Sequence, residues 1–210
     1  MEVIFCGDEK CIICGMDIYD EDHLCTSCRN RIMICRYPKQ IEHDGLSIKC
    51  YSASYYSKVV RELIIRLKYK KDYGSGEILA ALMVNTVKEN ELKPDYITFV
   101  PASENTIKKR GYNQSMLLAK LLARQLGFEL IDVLEKSSNA RDQIGLGKKE
   151  RFDNIKGTFK LKTDLDIRNK SILLVDDVIT TGATAVWCSQ VLIKNGAKEV
   201  IVLTAAKSKV

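Results

Sequence analysis

The segment that most restricts the fold of this chain is residues 172–184, with the sequence ILLVDDVITTGAT. Its first four residues are apolar, which is typical of a strand buried on both faces of a parallel sheet. Asp176 and Asp177 follow, and then a threonine-rich stretch with Gly182 leads into a helix pattern. Ligands of open α/β sheets bind at the carboxyl ends of such strands. The segment therefore predicts a parallel α/β fold with a ligand site at this strand end.

Helix patterns and strand patterns alternate through the larger part of the chain. Apolar residues recur at helical spacing in several segments, and one helix has clear end signals in Asn113 and Gly127. Strands that alternate with helices indicate a parallel sheet flanked by helices. The helix patterns span residues 59–67, 78–87, 113–127 and 184–195, and the strand patterns span residues 96–100, 155–161, 172–175 and 200–204.

The threonine-rich stretch is a candidate phosphate site. Backbone N–H groups at the start of a helix attract anions, and the helix dipole adds to the attraction. Gly182, which has no Cβ, allows a ligand to approach the backbone closely. The adjacent acids would repel a phosphate unless the ligand also carries hydroxyl groups or Mg²⁺ is present. The residues of this candidate site are Thr180, Thr181, Gly182, Ala183 and Thr184.

Seven of the eight cysteines lie in the first 50 residues. Cys11, Cys14, Cys25 and Cys28 form a CxxC–x10–CxxC pattern, which predicts a tetrahedral Zn²⁺ site with a structural role, because four thiolates leave no open coordination position. Three alternatives are a small core of reduced cysteines, a redox-active CxxC pair, and a site in which His23 replaces one thiolate. A segment this short needs a stabilising element such as a metal site, since it cannot build a sufficient hydrophobic core.

Composition divides the chain at about residue 50. We expect a four-cysteine zinc-binding module over residues 1–50 and an α/β domain over residues 51–210. The formal charge is −3 in the first part and +9 in the second, so an anionic partner would bind the α/β domain. No apolar run reaches the ~18–20 residues of a membrane span, and the first residues do not resemble a signal peptide. We therefore expect a cytoplasmic protein that does not insert into membranes.

Two short stretches combine lysines with tyrosines. They are KYKKDY at residues 68–73 and KKRGYN at residues 108–113. Cations beside aromatic rings suit single-stranded nucleic acid, although a solvated helix end and a loop at the rim of a site would have the same composition. Residues 135–156 carry ten charges, among them Arg141, Lys148, Lys149 and Arg151, which fits either a lid or a solvated loop.

Residues 172–184 resemble the loop with which type I phosphoribosyltransferases bind 5-phosphoribosyl 1-pyrophosphate (PRPP). The resemblance implies that Asp176 and Asp177 bind the ribose hydroxyls and that residues 180–184 bind the 5′-phosphate. Asp176 could instead act as a general base toward an acceptor. PRPP is used together with Mg²⁺, which disperses charge on the leaving pyrophosphate.

The order of further motifs is similar to that of the ComF family of competence-associated, phosphoribosyltransferase-like proteins. The family implies a pyrophosphate loop at Pro101, Ala102 and Ser103, where Ala102 departs from the bulkier residue of many relatives, and it makes Arg110 a candidate ligand-binding residue. It also implies a part in the uptake of transforming DNA, with competence or DNA-processing proteins as partners. The motifs after the four cysteines are Lys68-Tyr69, Val100-Pro101, residues 110–114, residues 143–146 and residues 151–159.

Two functions follow from the residues and the resemblance together. In the first, the protein is a PRPP-dependent enzyme that transfers a phosphoribosyl group to an unidentified acceptor. In the second, it is a non-catalytic accessory protein that binds single-stranded DNA and retains a pocket for PRPP or a related phosphoribosyl ligand.

Overall fold

The computed structural model of the protein describes residues 9–18, 23–137, 157–162 and 165–208. The described strands are β1 (Glu9–Lys10), β2 (Asp17–Ile18), β3 (Lys39–His43), β4 (Leu46–Tyr55), β5 (Tyr96–Phe99), β6 (Glu129–Leu130), β7 (Leu134–Lys136), β8 (Phe159–Leu161), β9 (Ser171–Ile179) and β10 (Glu199–Lys207). The described helices are α1 (Thr26–Arg29), α2 (Lys58–Tyr69), α3 (Tyr73–Glu89), α4 (Glu104–Arg110), α5 (Gln114–Leu126) and α6 (Ala183–Lys194).

Six of the described strands form one sheet in the order β3–β4–β10–β9–β5–β6. β3 and β4 are antiparallel, whereas the other neighbours in the sheet are parallel. The four apolar residues at positions 172–175 lie on β9, near the centre of the sheet, and are fully buried. The parallel α/β fold predicted from the sequence is therefore confirmed.

Helices cover both faces of the sheet because alternate residues of each central strand point to opposite sides. Leu173 and Val175 pack in one core with side chains of α2, α3 and α5. Ile172 and Leu174 pack in a second core with α6 and with the β7–β8 hairpin. The carboxyl ends of β9 and β5 therefore lie between two helix-covered faces, where a ligand site is expected.

The end signals of α5 are confirmed. Asn113 Oδ1 accepts hydrogen bonds from the backbone N–H groups of Ser115 and Met116, over 2.9 Å and 3.4 Å. Gly127 ends the helix with a positive φ of 73°, which glycine adopts without steric cost. The cap also holds the neighbouring loop, because Asn113 Nδ2 donates to Val100 O over 3.0 Å.

α3 begins earlier than its apolar pattern indicates. The helix starts at Tyr73 because Asp72 acts as N-cap, with Oδ1 accepting from the Ser75 N–H over 3.2 Å. Gly76 therefore lies inside the helix rather than before it. A Cβ at this position would lie 3.2 Å from Leu67 Cδ1, so the glycine allows α2 and α3 to pack closely.

β9 and β10 are longer than their apolar runs. The two strands stay paired from Ser171 opposite Glu199 to Ile179 opposite Lys207. Asp176 lies opposite Thr204 and Val178 lies opposite Ala206, so both acids lie within the last part of β9 rather than directly after it. Hydrophobicity alone does not reveal this extension, because ladder hydrogen bonds need no apolar side chain.

The residues before position 50 contribute to two different regions. The sheet includes β3 and the first half of β4, and β4 continues without interruption through residue 50. The cysteine-containing part forms β1, β2 and α1, and its small core packs against Ile78 of α3. The division of the chain into two units stays a prediction, and residues 39–50 lie in the sheet.

Most of the charged stretch at 135–156 lies outside the described residues, including Arg141, Lys148, Lys149 and Arg151. Its first residues, Glu135 and Lys136, belong to β7, which pairs with β8. Among the helices of the described ranges, none combines the length and the hydropathy that a transmembrane segment requires.

Candidate functional site

Asp177 is a buried carboxylate that faces α2. Its exposed fraction is 5%, and Lys68 Nζ, from the last turn of the helix, lies 2.5 Å from Asp177 Oδ2. Breaking a buried ion pair by removing one partner typically costs ~3–5 kcal/mol, because the other charge is left uncompensated. Lys68 therefore forms an ion pair with Asp177 that compensates its buried charge.

Asp176 receives two hydrogen bonds on one oxygen. Ser115 Oγ and the backbone N–H of Asp177 each donate to Asp176 Oδ1 over 2.8 Å. Burial and the charge of Asp177 raise the pKa of Asp176 to about 7, against the opposing effects of Ser115 and Lys68. The carboxyl group can therefore gain or lose a proton near neutral pH, which suits both a general acid–base group and a hydroxyl-binding group.

The threonine-rich stretch forms the bend between β9 and α6. Gly182 has a φ of 89° and is the N-cap of the helix, and the Ala183 N–H donates to Thr181 Oγ1 over 3.4 Å. A Cβ at position 182 would lie 2.5 Å from Ile41 Cδ1. The first N–H groups of a helix have no intrahelical acceptor, so the Thr184 N–H is a donor directly after the bend, beside the Ala183 N–H that Thr181 Oγ1 accepts. Phosphate binding by residues 180–184 stays a prediction.

The proposed pyrophosphate loop leaves the sheet beside the acids. The Val100 N–H donates to Val175 O over 3.0 Å, so Pro101 follows β5 at the edge where the acids of β9 lie. Ser103 is the N-cap of α4, and its Oγ accepts from the Thr106 N–H over 3.2 Å. This hydroxyl therefore takes part in starting the helix, and ligand contacts of the loop stay a prediction.

Arg110 contacts the end of α2. Its guanidinium lies over the ring of Tyr69, with Cζ 5.2 Å from the ring centroid, and Nη2 donates to Tyr69 Oη over 3.5 Å. These contacts are with a surface tyrosine rather than with the acids. The assignment of Arg110 to ligand binding was not tested by them and stays a prediction.

Lys68 and Ser115 contact the acids, although no individual role was predicted for either residue. Lys68 appeared only as part of a motif, and the ion pair depends on where α2 ends above the sheet. Ser115 carries a weak local signal, because Gln114 and Ser115 are polar residues at the start of a helix whose other buried residues are apolar. Such residues are rarely buried without a hydrogen-bonding reason.

The two basic, tyrosine-containing stretches meet on one surface. The Arg110–Tyr69 contact joins them, and the rings of Tyr73 and Tyr112 lie 6.2 Å apart. A Cβ on Gly111 would lie 3.4 Å from Lys71 Nζ, so this lysine also reaches across. We call the combined region the basic–aromatic surface, and it consists of Tyr69, Lys70, Lys71, Tyr73, Lys108, Lys109 and Arg110.

Tyr112 supports this surface from beneath. Its Oη donates to Leu67 O, and its ring is half-buried. Burial raises the pKa of the Tyr112 hydroxyl. Tyr69 and Tyr73, which are 69% and 57% exposed, present their rings to solvent instead. Tyr69 and Tyr73 are therefore available for stacking, whereas the ring of Tyr112 in the second stretch is partly covered.

The four cysteines form one cluster. The Sγ atoms of Cys11, Cys14, Cys25 and Cys28 all lie within 4.8 Å of one another, and those of Cys14 and Cys25 are 3.6 Å apart. A tetrahedral ion with metal–sulfur distances of ~2.3 Å requires sulfur atoms about 3.8 Å apart. The cluster therefore has dimensions suitable for a metal ion.

The thiols of Cys11 and Cys28 in this cluster have shifted pKa values. Burial acts to raise the pKa of Cys11, but backbone hydrogen bonds outweigh it and lower the pKa to about 6. Burial and the neighbouring thiols raise the pKa of Cys28 to about 12. A bound cation would favour the thiolate form of all four. His23 faces elsewhere, with Nε2 3.2 Å from Glu77 Oε2, and within the described ranges the metal-ligand cluster consists of the cysteines.

The sequence of this chain is similar to those of several known proteins. The family described as "Phosphoribosyl transferase domain" matches residues 112–209. Competence protein F of Haemophilus influenzae is 28% identical over 95% of this chain and 97% of its own length. Competence protein ComFC of Streptococcus pneumoniae is 27% identical over 92% of this chain and 79% of its own length. DNA utilization protein YhgH of Salmonella typhi is 32% identical over 71% of this chain and 67% of its own length.

Solved structures with a similar arrangement include two enzymes. An allosteric regulatory enzyme of purine biosynthesis has 22% identity and a TM-score of 0.44, and the match covers 62% of this chain and 26% of that chain. This protein thus spans about a quarter of that enzyme. Purine phosphoribosyltransferase from Pyrococcus horikoshii has 17% identity and a TM-score of 0.40, over 64% of this chain and 82% of that chain.

Proposed function

This chain belongs to the ComF family of competence-associated, phosphoribosyltransferase-like proteins, and we propose that it binds PRPP or a related phosphoribosyl ligand in the cytoplasm and transfers the phosphoribosyl group to an acceptor. The observation that carries this proposal is the acid pair. Asp176 and Asp177 lie near the carboxyl end of a central strand that continues through a threonine–glycine bend into a helix. Two hydroxyl-binding groups followed by a phosphate-binding bend suit a sugar phosphate.

The proposed transfer breaks the bond between the anomeric carbon and pyrophosphate, so positive charge develops on the sugar as in glycoside cleavage. In this scheme Asp176 and Asp177 orient the ribose through its hydroxyls, and residues 180–184 hold the 5′-phosphate. Backbone groups of residues 101–103 bind the leaving pyrophosphate. Carboxylate oxygens are the ligands that Mg²⁺ prefers, and the ion disperses charge on the pyrophosphate when it is bound.

Calorimetry with PRPP and Mg²⁺ tests the binding step. Asp176→Ala and Asp177→Ala should each weaken binding about ten- to a hundredfold, since a hydrogen bond to a charged group contributes roughly 1.5–3 kcal/mol. Asp132→Ala, which removes an acid paired with Lys162, serves as the control. Wild-type protein that takes up no PRPP at millimolar concentration refutes the proposal. Pyrophosphate release with a panel of nucleobases then separates transfer from binding alone.

The basic–aromatic surface supports a second function, which is binding of single-stranded DNA without catalysis. Arg110 lies over the exposed ring of Tyr69, Lys71 reaches Gly111, and Lys70, Lys108 and Lys109 are exposed in the same two stretches. Phosphates pair with such cations while bases stack on the rings, and this combination binds strands with little sequence preference. An accessory role in DNA uptake, together with competence or DNA-processing proteins, would use this surface.

The salt dependence of binding to a labelled oligothymidylate tests this second function. Replacing Lys70, Lys71, Lys108 and Lys109 with alanine should flatten the log–log slope by up to about 3, since each phosphate contact contributes about 0.7. Tyr69→Ala should lower the affinity and leave the slope unchanged, because stacking releases no counterions. A control variant with the same charge change replaces the exposed lysines Lys88, Lys93, Lys120 and Lys198. If both four-lysine variants lose the same affinity for the oligothymidylate, the proposal that DNA binds to a defined surface is wrong.

We also propose that the four-cysteine cluster holds one structural Zn²⁺ ion. Four thiolates at these distances suit zinc, and such a site has no open position for a substrate. Elemental analysis of the purified protein should find one zinc per chain, and its loss should follow replacement of Cys25 or Cys28 by serine. Protein that folds fully without any bound metal contradicts the proposal.

A further inference from the structure

Lys68 belongs both to the acid pair and to the edge of the basic–aromatic surface. Its Nζ lies 2.5 Å from Asp177 Oδ2, and the next residue, Tyr69, stacks with Arg110. The side chain of Lys68 is 21% exposed and that of Asp177 is 7% exposed. The lysine side chain is therefore the more exposed partner of this ion pair.

A sugar ligand competes with this lysine. A ribose hydroxyl that donates to Asp177 occupies a carboxylate oxygen that pairs with Lys68 Nζ when no ligand is bound. A lysine has three donors on a flexible four-carbon stem, so its ammonium can turn away from Asp177 without moving the helix. Displacement places one more cation beside Tyr69 and Lys70.

The end of α2 is fixed, so the change is confined to the Lys68 side chain. Tyr112 Oη donates to Leu67 O, and the Lys70 N–H donates to Arg66 O over 2.8 Å. Glu62 lies 3.7 Å from Lys70 Nζ and 2.9 Å from Arg66 Nε. These contacts hold the backbone on both sides of Lys68, which leaves the ammonium group as the part that can have two positions.

We propose that Lys68 couples the Asp177 site to the basic–aromatic surface. A hydroxyl-bearing ligand at Asp177 releases the Lys68 ammonium, which then pairs with a phosphate of single-stranded DNA bound on that surface. This inference rests on the two proposed binding functions and adds the link between them. Because coupling is reciprocal, a bound strand also draws Lys68 from Asp177 and favours the sugar ligand. The coupling is positive although both ligands are anionic.

Ribose 5-phosphate should change both the affinity for the oligothymidylate and the salt dependence of its binding. Saturation with ribose 5-phosphate should tighten strand binding about fivefold, at the lower end of the usual range for coupled sites. The log–log salt slope should become steeper by about 0.7, because one more phosphate is neutralised. Inorganic phosphate at the same ionic strength is the ligand control, since it carries the charge but has no ribose whose hydroxyls could reach Asp177.

Fluorescence anisotropy of a labelled oligothymidylate, with and without ribose 5-phosphate, measures the coupling. Lys68→Met should bind the oligothymidylate only as weakly as the wild-type protein does without ribose 5-phosphate. Addition of ribose 5-phosphate should not change this affinity. Asp177→Asn should bind the strand as tightly without ligand as wild type does with it, because Lys68 is released permanently. The double variant should behave like Lys68→Met, since it has no lysine to release. Lys58→Met removes a charge ~15 Å away on α2 and should keep the response.

The outcomes separate the inference from the functions on which it rests. Calorimetry of ribose 5-phosphate and anisotropy of the strand first establish each binding alone. If both ligands bind but neither changes the affinity of the other, the inference is wrong while the two binding functions stand. A response that persists in Lys68→Met also overturns it. Failure of either ligand to bind removes the corresponding function and the inference with it.

Discussion

The variant Asp176→Asn should become increasingly more stable than the wild-type protein as the pH rises above 5.5, because the wild-type protein loses stability in this range. Burial and Asp177 raise the pKa of Asp176 to about 7 from an ordinary value of 3.8. The folded state therefore holds a proton that the unfolded chain has already released. A group of this kind stabilises the fold at low pH, and the contribution is lost as pH rises through the folded pKa. The amide of asparagine never ionises, and its oxygen can still accept from Ser115 Oγ.

The size of the effect follows from the two pKa values. Between pH 5.5 and pH 8 the wild-type protein should lose about 2 kcal/mol of unfolding free energy relative to Asp176→Asn, because the remaining proton leaves the folded state in this interval. Above about pH 8 the difference should stay constant. The comparison begins at pH 5.5 because stronger acid protonates metal-binding thiolates in both proteins.

Urea denaturation at half-unit pH steps provides the assay. Asp166→Asn is the control: Arg168 holds the pKa of the Asp166 carboxyl well below its usual range, so this carboxyl is ionised throughout the interval and its replacement should add no slope. A difference between wild type and Asp176→Asn that stays flat from pH 5.5 to 8 refutes the reasoning. Asp176→Asn should also bind PRPP more weakly than the wild-type protein, so that stability and ligand binding change in opposite directions.

Three further predictions concern the metal, the bend and the core. Removing the metal with a chelator should unfold the cysteine-containing part while the α/β sheet persists, because metal binding supplies the folding energy of such a module; hydrogen exchange can follow the two parts separately. Gly182→Ala should destabilise the protein by about 1–2 kcal/mol, the cost of a left-handed conformation for a residue with Cβ, and calorimetry should show weaker binding of ribose 5-phosphate. Leu118→Ala should cost about 2–5 kcal/mol in urea denaturation, since Leu118 is fully buried, and should leave zinc content unchanged.

The local patterns of the chain predicted β5, β9 and β10 of the main sheet, most of the described helices and the cysteine cluster, but not β3, β4 or β6. The strand pattern at 155–161 corresponds in part to β8, which pairs with β7 outside the main sheet. Periodicity reports burial directly, and the caps at Asn113 and Gly127 act within a few residues of their helix ends. The CxxC spacing likewise brings two thiolates together within one turn. The start of α3 and the ends of β9 and β10 were less predictable, because a side-chain cap at Asp72 and backbone pairing between strands determine them.

The arrangement around the acids needed the tertiary structure. Ser115 and Asp176 are 61 residues apart in the chain, and Lys68 is farther still from Asp177. No spacing rule connects such residues, since packing of α2 and α5 on one face of the sheet decides which side chains reach the strand end. The same packing joins two distant basic stretches into one surface and turns Tyr112 inward. The sequence by itself determined which chemical groups the site contains, whereas the fold decided the partner, the burial and therefore the proton affinity of each.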